Sequence, residues 1–429
     1  MHVRIAVIAA LAAVVVIGCA QEVVEEEFEP SESHQRYRES LEQFGLSGTA
    51  LARDWVAAAE RALSEPVELE IPFQERAAFD PARAEAAGYR FEATQGQRIT
   101  ITIEIEAEAN LEGAVARGIG ENAETNSDEV LDKAPDGPET EADFEELDDN
   151  SGLRLFADVF RADDDDLEAL EQVASYSEAR NRLEFEPRRD NSYILRLQPE
   201  LLRGGRYTVT IETEPSLSFP VEGHDTEDIR SFFGAPRDGG ARVHEGVDVF
   251  APRGTPVLAS SPALVRRVGT RERGGKVVSL YDEERDLIYY YAHLDEQLAE
   301  QGARVEPGDV IGTVGNTGNA RTTPPHLHFG IYEAHWNAVD PFYYLHDKGG
   351  EPTEPSLDPE LIGAAVAHLG PERPVYNGLT AERTVTAHLG EGTVFRPVGV
   401  SGEYLRVRFA DGGHGYVRGS EVSRVPDAD

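Results

Sequence analysis

The chain has 429 residues, which is too long for one ordinary domain and predicts two to four domains. Its 80 acidic residues outweigh its 40 basic residues, so the formal net charge is −40. This balance argues against nucleic acid as a partner, because phosphate binding needs clustered lysine and arginine. We interpret the charge as a solvated surface that suits salty surroundings.

The N-terminus predicts an export signal. A short basic start precedes an apolar run, residues 5–17, that is too short to span a bilayer comfortably and fits a signal-peptide core. The run ends in VIGC, which resembles a bacterial lipoprotein signal box with Cys19 as the lipidated residue. An ordinary signal peptide or a short anchor helix with an incidental cysteine is the alternative interpretation.

The lipoprotein interpretation predicts where the protein resides. We expect an extracytoplasmic protein, lipid-anchored to the bacterial cell envelope, and Ala20 after Cys19 fits sorting to the periplasmic side of an outer membrane. Cys19 is the only cysteine, so the chain has neither an internal disulfide nor a cysteine-rich zinc site. Any metal site must therefore use histidine, aspartate and glutamate side chains.

The next two segments differ in the spacing of their apolar residues. Residues 20–65 predict an acidic tether and then a helical segment, which Gly45 and Gly48 interrupt. Residues 66–215 alternate between apolar and polar and predict a β-sandwich. Within it, YRFEATQGQRITITIEIEA predicts two strands paired as a hairpin around Gln95-Gly96.

Two acidic runs interrupt this β region. Residues 121–150 are expected to form a loop. The four aspartates at residues 163–166 lack the spaced ligands and central glycine of a Ca²⁺ loop, so we interpret them as a solvated turn.

Three segments that look like strands carry four histidines. His244 stands in RVHEGVDVF, His293 in YYYAHLDEQ, and His326 and His328 in PPHLHFGIY. Side chains alternate along a strand, so His326 and His328 share one face, as do His244 and Asp248. The spacing of His244 and Asp248 also fits one face of a helix.

Two histidines and one carboxylate meet the needs of a hydrolytic zinc site, which takes three protein ligands of N or O type and leaves one position open for water. Further histidines can move protons or stabilise an oxyanion. Each motif is weak by itself, because a His-x-His pair on a strand is often structural. His335, in EAHWN, is expected to face solvent.

In their order along the chain, these motifs resemble the lysostaphin-type, or LytM-like, zinc endopeptidases of bacterial cell walls. The resemblance covers Ser231 to about Leu345 and implies a zinc endopeptidase domain over residues 225–347. The zinc ligands it implies are His244, Asp248 and His328, and the catalytic histidines are His293 and His326. One departure is Pro324-Pro325, where the family usually has a glycine.

The C-terminal part predicts a linker over residues 348–366 and a small SH3-like β-barrel over residues 367–429. GEYLRVRFADGGHGYVRGSEV alternates on both sides of a turn at residues 411–413. The whole chain is therefore predicted to be mainly β and multidomain, and its β-sandwich resembles domains found beside secreted bacterial peptidases.

The resemblance implies a Zn²⁺-dependent endopeptidase that hydrolyses peptide bonds in peptidoglycan stem peptides or cross-links. Peptidoglycan and the membrane, through the lipid anchor, are the expected partners, together with a regulatory protein. The alternatives are a non-catalytic activator of a cell-wall amidase and a peptidoglycan-binding scaffold lipoprotein. Because inactive relatives have lost zinc-site positions, the five positions retained here favour the enzyme.

Overall fold

The structure is a computed structural model that describes residues 32–106, 153–162, 170–175, 182–333, 337–346 and 350–425. These residues are mainly β with few helices, which confirms the predicted fold class. None of the described helices is long and apolar enough to cross a membrane. The predicted signal peptide with Cys19, both acidic runs and His335 lie outside the described residues.

Two helices begin the described chain: α1 (Glu32–Gln43) and α2 (Ala50–Ser64). They are separated where the glycines predict, and Gly45 has a left-handed φ of 69°, which glycine adopts without steric cost. Thr49 caps α2, because its Oγ1 accepts a hydrogen bond from the Ala52 N–H at 3.2 Å. The buried Trp55 donates its Nε1–H to the carbonyl of Pro199 at 2.8 Å, which docks α2 on the next region.

Nine strands follow and form two sheets that share one apolar core. In chain order they are β1 (Val67–Leu69), β2 (Phe73–Phe79), β3 (Ala87–Ala93), β4 (Gln97–Ile105), β5 (Leu155–Ala162), β6 (Glu171–Ser175), β7 (Arg182–Phe185), β8 (Asn191–Pro199) and β9 (Gly205–Pro215). One sheet has the order β1-β3-β8-β5-β6, and the other contains β2-β9-β4-β7. The strand positions follow the alternating pattern of the sequence.

The predicted hairpin around Gln95-Gly96 is wrong in its pairing. Strands β3 and β4 flank this turn, but β3 pairs with β1 and β8, whereas β4 pairs with β7 and β9. The chain therefore crosses from one sheet to the other at Gly96, whose φ is 92°. A Cβ at Gly96 would lie 2.6 Å from the Tyr344 ring, so this corner also packs closely against the histidine-bearing region that follows.

The elements of the next region are β10 (Ile229–Ser231), β11 (Pro236–Arg237), β12 (Arg242–Val243), β13 (Val247–Phe250), β14 (Pro256–Leu258), β15 (Ala263–Arg271), β16 (Gly275–Asp282), β17 (Leu287–Leu294), β18 (Glu296–Gln297), β19 (Arg304–Val305), β20 (Val310–Thr313), β21 (His326–Glu333), β22 (Ala338–Val339) and α3 (Phe342–Leu345). The main sheet of this region is antiparallel and has the order β10-β13-β21-β17-β16-β15-β19. Val249, Tyr291, Leu327 and Phe329 belong to its buried core.

The last eight strands form two sheets, one of which continues a sheet of the first β region. They are β23 (Val366–His368), β24 (Arg373–Tyr376), β25 (Val385–Leu389), β26 (Val394–Phe395), β27 (Gly399–Ser401), β28 (Tyr404–Arg408), β29 (His414–Arg418) and β30 (Val422–Arg424). Strands β28 and β29 form the predicted hairpin. Strand β27 pairs with β2, so one sheet runs β25-β24-β29-β28-β27-β2-β9-β4-β7. The SH3-like barrel and the domain boundaries stay predictions.

A buried ion pair lies where the C-terminal strands meet the first β region. Arg406 Nε is 3.3 Å from Glu75 Oε2, and the two side chains are 2% and 0% exposed. The Glu75 carboxylate accepts hydrogen bonds from the hydroxyls of Tyr89 at 2.6 Å and Tyr416 at 2.9 Å, and Arg406 Nη2 donates to the Tyr207 hydroxyl at 3.1 Å. Burial raises the pKa of Glu75, and the charge of Arg406 opposes this shift.

A second ion pair joins the first β region to the histidine-bearing region. Arg285 donates from Nε and Nη2 to the two carboxylate oxygens of Glu186, each at 2.7 Å. Arg285 Nη1 also donates to Asp282 Oδ2 at 2.9 Å. Such a bidentate pair fixes both distance and orientation, so it holds the two regions in one arrangement.

Because Arg406 belongs to a buried ion pair, the stability of the protein is expected to depend strongly on this residue. We expect Arg406→Met to lower the free energy of unfolding by about 3–5 kcal/mol, because Glu75 then stays buried without its cation. Chemical denaturation measures this loss. Arg304→Met, which removes an exposed pair with Glu283, is the control and should have little effect. Equal small losses in both variants would contradict the importance of the buried pair.

Candidate metal centre

The register of two strands places a carboxylate opposite an imidazole. Strands β13 and β21 are antiparallel, with Asp248 opposite His328 and Phe250 opposite His326. Directly opposed residues have Cβ atoms about 5 Å apart, so the Asp248 carboxylate meets the His328 ring. His328 Nδ1 is 3.1 Å from Asp248 Oδ1, and His326 Nε2 is 4.0 Å from the same oxygen. His326 and His328 thus share one face, as predicted.

His244 reaches this face from a loop and not from a strand, which corrects one expectation. It lies between β12 and β13. Its Nδ1 is 3.0 Å from the carbonyl oxygen of Phe232, which aims its Nε2 at Asp248 Oδ1 at 3.0 Å and His328 Nδ1 at 2.9 Å. Gly246 leaves room for this approach, because a Cβ there would lie 2.8 Å from His328 Cε1.

His244, Asp248 and His328 form a cluster whose three nearest ligand atoms lie within 4.8 Å of one another. Two imidazole nitrogens and one carboxylate oxygen are the donor set that hydrolytic zinc sites use. The three residues that the resemblance implied as ligands are thus brought together, and this donor set fits a divalent metal.

Electrostatics keep the cluster in the form that binds a cation. Burial alone would raise the pKa of Asp248, but its contacts with the His244 and His328 rings outweigh this effect and hold this pKa well below its usual range. Burial lowers the pKa of His328, and the charge of Asp248 only partly offsets this. At neutral pH the carboxylate is therefore charged and the His328 ring is neutral.

Arg237 is a contact of the cluster that the sequence reasoning missed. Its Nη2 donates to Asp248 Oδ2 at 2.7 Å and to Ser231 Oγ at 2.6 Å. This leaves Asp248 Oδ1 turned towards the histidines. Strand periodicity does not predict a role for Arg237, because this residue lies outside the strand that carries Asp248. What indicates a role in the sequence is its position near Ser231, where the family resemblance begins.

His293 and His326 line the same cleft beside the cluster. Their ring centroids are 5.0 Å apart, and the His293 ring is 6.0 Å from that of His328. His293 lies near the end of β17 with a φ of 64°, and its backbone N–H donates to the carbonyl of Gly274 at 2.7 Å. The structure thus gathers all five predicted histidine and aspartate residues around one cleft.

Backbone carbonyls orient both rings. His293 Nδ1 is 2.9 Å from the carbonyl oxygen of Thr317, and His326 Nδ1 is 2.9 Å from that of Pro324. A carbonyl oxygen only accepts, so each Nδ1 carries the hydrogen and each Nε2 keeps a lone pair. Burial and then the charges of His328 and His326 lower the pKa of His293 to about 4, so this ring is neutral at pH 7.

The contact to Pro324 gives the unusual Pro324-Pro325 pair a structural role. These residues follow the short 3-10 helix Gly318–Thr322 and lead directly into β21. Proline fixes its own φ near −65° and holds the preceding residue in an extended conformation. The carbonyl that orients His326 is therefore held by a rigid segment.

The cleft that contains these groups is lined by residues 231–332 alone among the described residues. Its volume is about 750 Å³, which is in the range of sites that enclose most of a small ligand. Neither the described part of the first β region nor the C-terminal strands form a wall of it. The described N-terminal residues therefore leave the cleft open.

Comparison with known proteins gives a family match in this region. Residues 242–341 match the family described as Peptidase family M23. The chain is similar to the L-Ala–D-Glu endopeptidase of Bacillus subtilis (strain 168), at 36% identity over 140 residues that cover 30% of this chain and 42% of the relative. It is also similar to the peptidoglycan DD-endopeptidase ShyC of Vibrio cholerae, at 37% identity over 94 residues that cover 22% and 21%.

A third relative is the uncharacterized lipoprotein YgeR of Escherichia coli (strain K12), at 39% identity over 116 residues that cover 27% of this chain and 43% of the relative. The chain spans less than half the length of these curated relatives. Among solved structures, the catalytic domain of lysostaphin from Staphylococcus simulans is 32% identical, covers 27% of this chain and 88% of that chain, and has a TM-score of 0.24.

The protonation states predict how metal binding depends on pH. Because the pKa values of Asp248 and His328 are both lowered, protons compete with a metal at these ligands only at acid pH. We expect the Zn²⁺ affinity, measured by chelator competition, to change less than about threefold between pH 7 and 8 and to fall in acid. A steep rise from pH 7 to 8 would mean that a ligand is still protonated at pH 7.

Proposed function

We propose that the chain, whose residues 242–341 match Peptidase family M23, is a zinc-dependent endopeptidase acting on peptidoglycan. The bonds cut are peptide bonds in stem peptides or cross-links. The observation that carries the proposal is the cluster of His244, Asp248 and His328, with His293 and His326 beside it in one open cleft. Two similar proteins are named as endopeptidases, one of them of peptidoglycan.

His244, Asp248 and His328 would hold the metal. A bound zinc ion supplies Lewis acidity, which polarises a carbonyl and lowers the pKa of water from ~16 to ~7. Arg237 keeps the Asp248 carboxylate in place through its second oxygen. The cleft itself orients the peptide.

The two remaining histidines move protons in this proposal. The free Nε2 of His326 lies 4.0 Å from Asp248 Oδ1, so His326 is placed beside the ligands and accepts the proton of the attacking water. His293 stabilises the tetrahedral intermediate or protonates the leaving amine. Since the resting His293 ring is neutral and has its Nδ1–H bound to Thr317, it first needs a proton on Nε2.

The proposed location is the outside of the bacterial membrane. The lipoprotein-like signal ending at Cys19 supports a lipid anchor there, on the periplasmic side of an outer membrane. One similar protein is named a lipoprotein. An anchor would hold the cleft close to the wall despite the net charge of −40, which repels an acidic polymer at long range.

Two alanine variants separate metal binding from catalysis. We expect His328→Ala to lose bound zinc and activity, because only two ligands remain. We expect His326→Ala to keep zinc but lose about 10²–10⁴-fold in kcat, which is the usual worth of a positioned acid or base. Metal content and turnover of the two purified proteins measure this. Equal zinc loss in both variants would refute the division of roles.

Digestion of purified peptidoglycan tests the activity itself. We expect the full chain to release soluble muropeptides, a chelator to stop this release, and added Zn²⁺ to restore it. Mass spectrometry of the products identifies the bond that is cut. If the metal-loaded protein releases nothing but activates a cell-wall amidase, the non-catalytic alternative replaces the enzyme.

A further inference from the structure

The charge in the cleft differs in sign from the charge of the whole chain. The chain has a net charge of −40, yet four arginines and only three carboxylates line the cleft. The arginines are Arg237, Arg242, Arg271 and Arg273. In a chain with twice as many acidic as basic residues, this local excess of arginines over carboxylates needs a specific explanation.

Two of the arginines form ion pairs with carboxylates of the cleft. Arg237 is bound to the metal-ligand carboxylate Asp248 at 2.7 Å, and Arg242 Nε is 2.5 Å from Asp238 Oδ2. The third carboxylate, Glu245, forms a hydrogen bond with the side chain of Tyr332, whose pKa is raised first by burial and then by the charge of Glu245. The three carboxylates of the cleft are therefore engaged.

The other two arginines, Arg271 and Arg273, are exposed. Within the described residues neither is placed in a salt bridge or side-chain hydrogen bond with a carboxylate, and the charge of Arg273 lowers the pKa of Asp238 less than Arg242 does. The two exposed arginines lie where β15 turns into β16, and Arg271 pairs with Gly275 across this hairpin. Arg271 and Arg273 both line the cleft, whereas Glu272 between them does not.

The tip of this hairpin is fixed against the site. The carbonyl of Arg273 accepts a hydrogen bond from the Asn319 N–H at 2.9 Å, and that of Gly274 accepts one from the His293 N–H at 2.7 Å. A Cβ on Gly318 would lie 2.1 Å from the Arg273 carbonyl oxygen. The hairpin is thus a firm wall of the cleft, and only the arginine side chains are free to meet a ligand.

The turn that carries the two arginines lies near the metal ligands, with Tyr290 between them. Tyr290 also lines the cleft, and its ring centroid is 6.1 Å from that of His328. A Cβ on Gly274 would lie 2.2 Å from the Tyr290 hydroxyl, so the phenol packs against the turn between Arg271 and Gly275. A peptide lying across the cluster would therefore extend past Tyr290 to the hairpin.

We propose that Arg271 and Arg273 bind a free carboxylate on the substrate peptide beside the scissile bond. The substrate class is then an acidic peptide, rather than a neutral bridge made of glycine residues. Guanidinium groups match the planar geometry of a carboxylate and form charge-assisted hydrogen bonds with it. This inference rests on the proposed endopeptidase function and adds the substrate group that the enzyme recognises, a free carboxylate.

The test uses two synthetic stem peptides that are identical except for one group. In one, the glutamate residue keeps its free α-carboxylate; in the other, this group is a carboxamide. We expect the wild-type protein with Zn²⁺ to have a KM about 3–10-fold lower for the acid, as one solvent-exposed charged contact would give. The variant R271Q/R273Q should lose this preference, with the change in KM and not in kcat.

Arg304→Gln is the matched control, because Arg304 lies in the same sheet outside the cleft lining and pairs with Glu283. It should keep the preference for the acid. Raising the salt concentration should weaken the preference in wild type and leave R271Q/R273Q unaffected, since salt screens an exposed ionic contact.

A binding measurement separates this inference from the proposed function. Calorimetry on the zinc-loaded His326→Ala variant gives the Kd of each peptide without turnover, and the acid should bind about 3–10-fold more tightly. If wild type cleaves both peptides with equal KM, or if R271Q/R273Q keeps the preference for the acid, the inference is wrong. The proposed endopeptidase function is then unaffected. If wild type cleaves neither peptide but the Kd values differ as expected, the inference stands and the proposed cleavage fails.

Discussion

The pairing of β13 with β21 is the constraint on which the candidate site depends. It sets Asp248 opposite His328, and Phe250 opposite His326. A slip of one residue would turn each of these side chains to the other face of its strand. The register is locked because Val249, Leu327 and Phe329 fill the buried core on the opposite face. The same alternation that builds the core therefore delivers the ligands to the cleft.

Around this pairing, the backbone decides which nitrogen of each imidazole faces the cleft. Carbonyls of Phe232, Thr317 and Pro324 contact the Nδ1 atoms of His244, His293 and His326, respectively. Their Nε2 atoms are then left for a metal or a proton. Such outer contacts fix the tautomer and hold the rings before any ligand arrives. The loops beside the strands therefore orient the imidazole rings that the site uses.

Outside the histidine-bearing region, the described residues hold the cleft in position and do not line it. The bidentate contact of Arg285 with Glu186 joins the histidine-bearing sheet to the first β region. The pairing of β2 with β27 and the buried Glu75–Arg406 pair join that region to the C-terminal strands. Because a shared sheet resists separation, strands β24, β25, β27, β28 and β29 are held to β2, β9, β4 and β7 as one continuous sheet.

The sequence by itself determined the features that depend on neighbours along the chain. Alternation placed the strands and put His326 and His328 on one face, and a single cysteine limited metal ligands to N and O donors. Only the tertiary structure decided which strands pair, that His244 lies in a loop, and that Arg237 supports Asp248. The reason is that a period of two residues is a local property, whereas strand partners and loop positions follow from packing between distant parts of the chain.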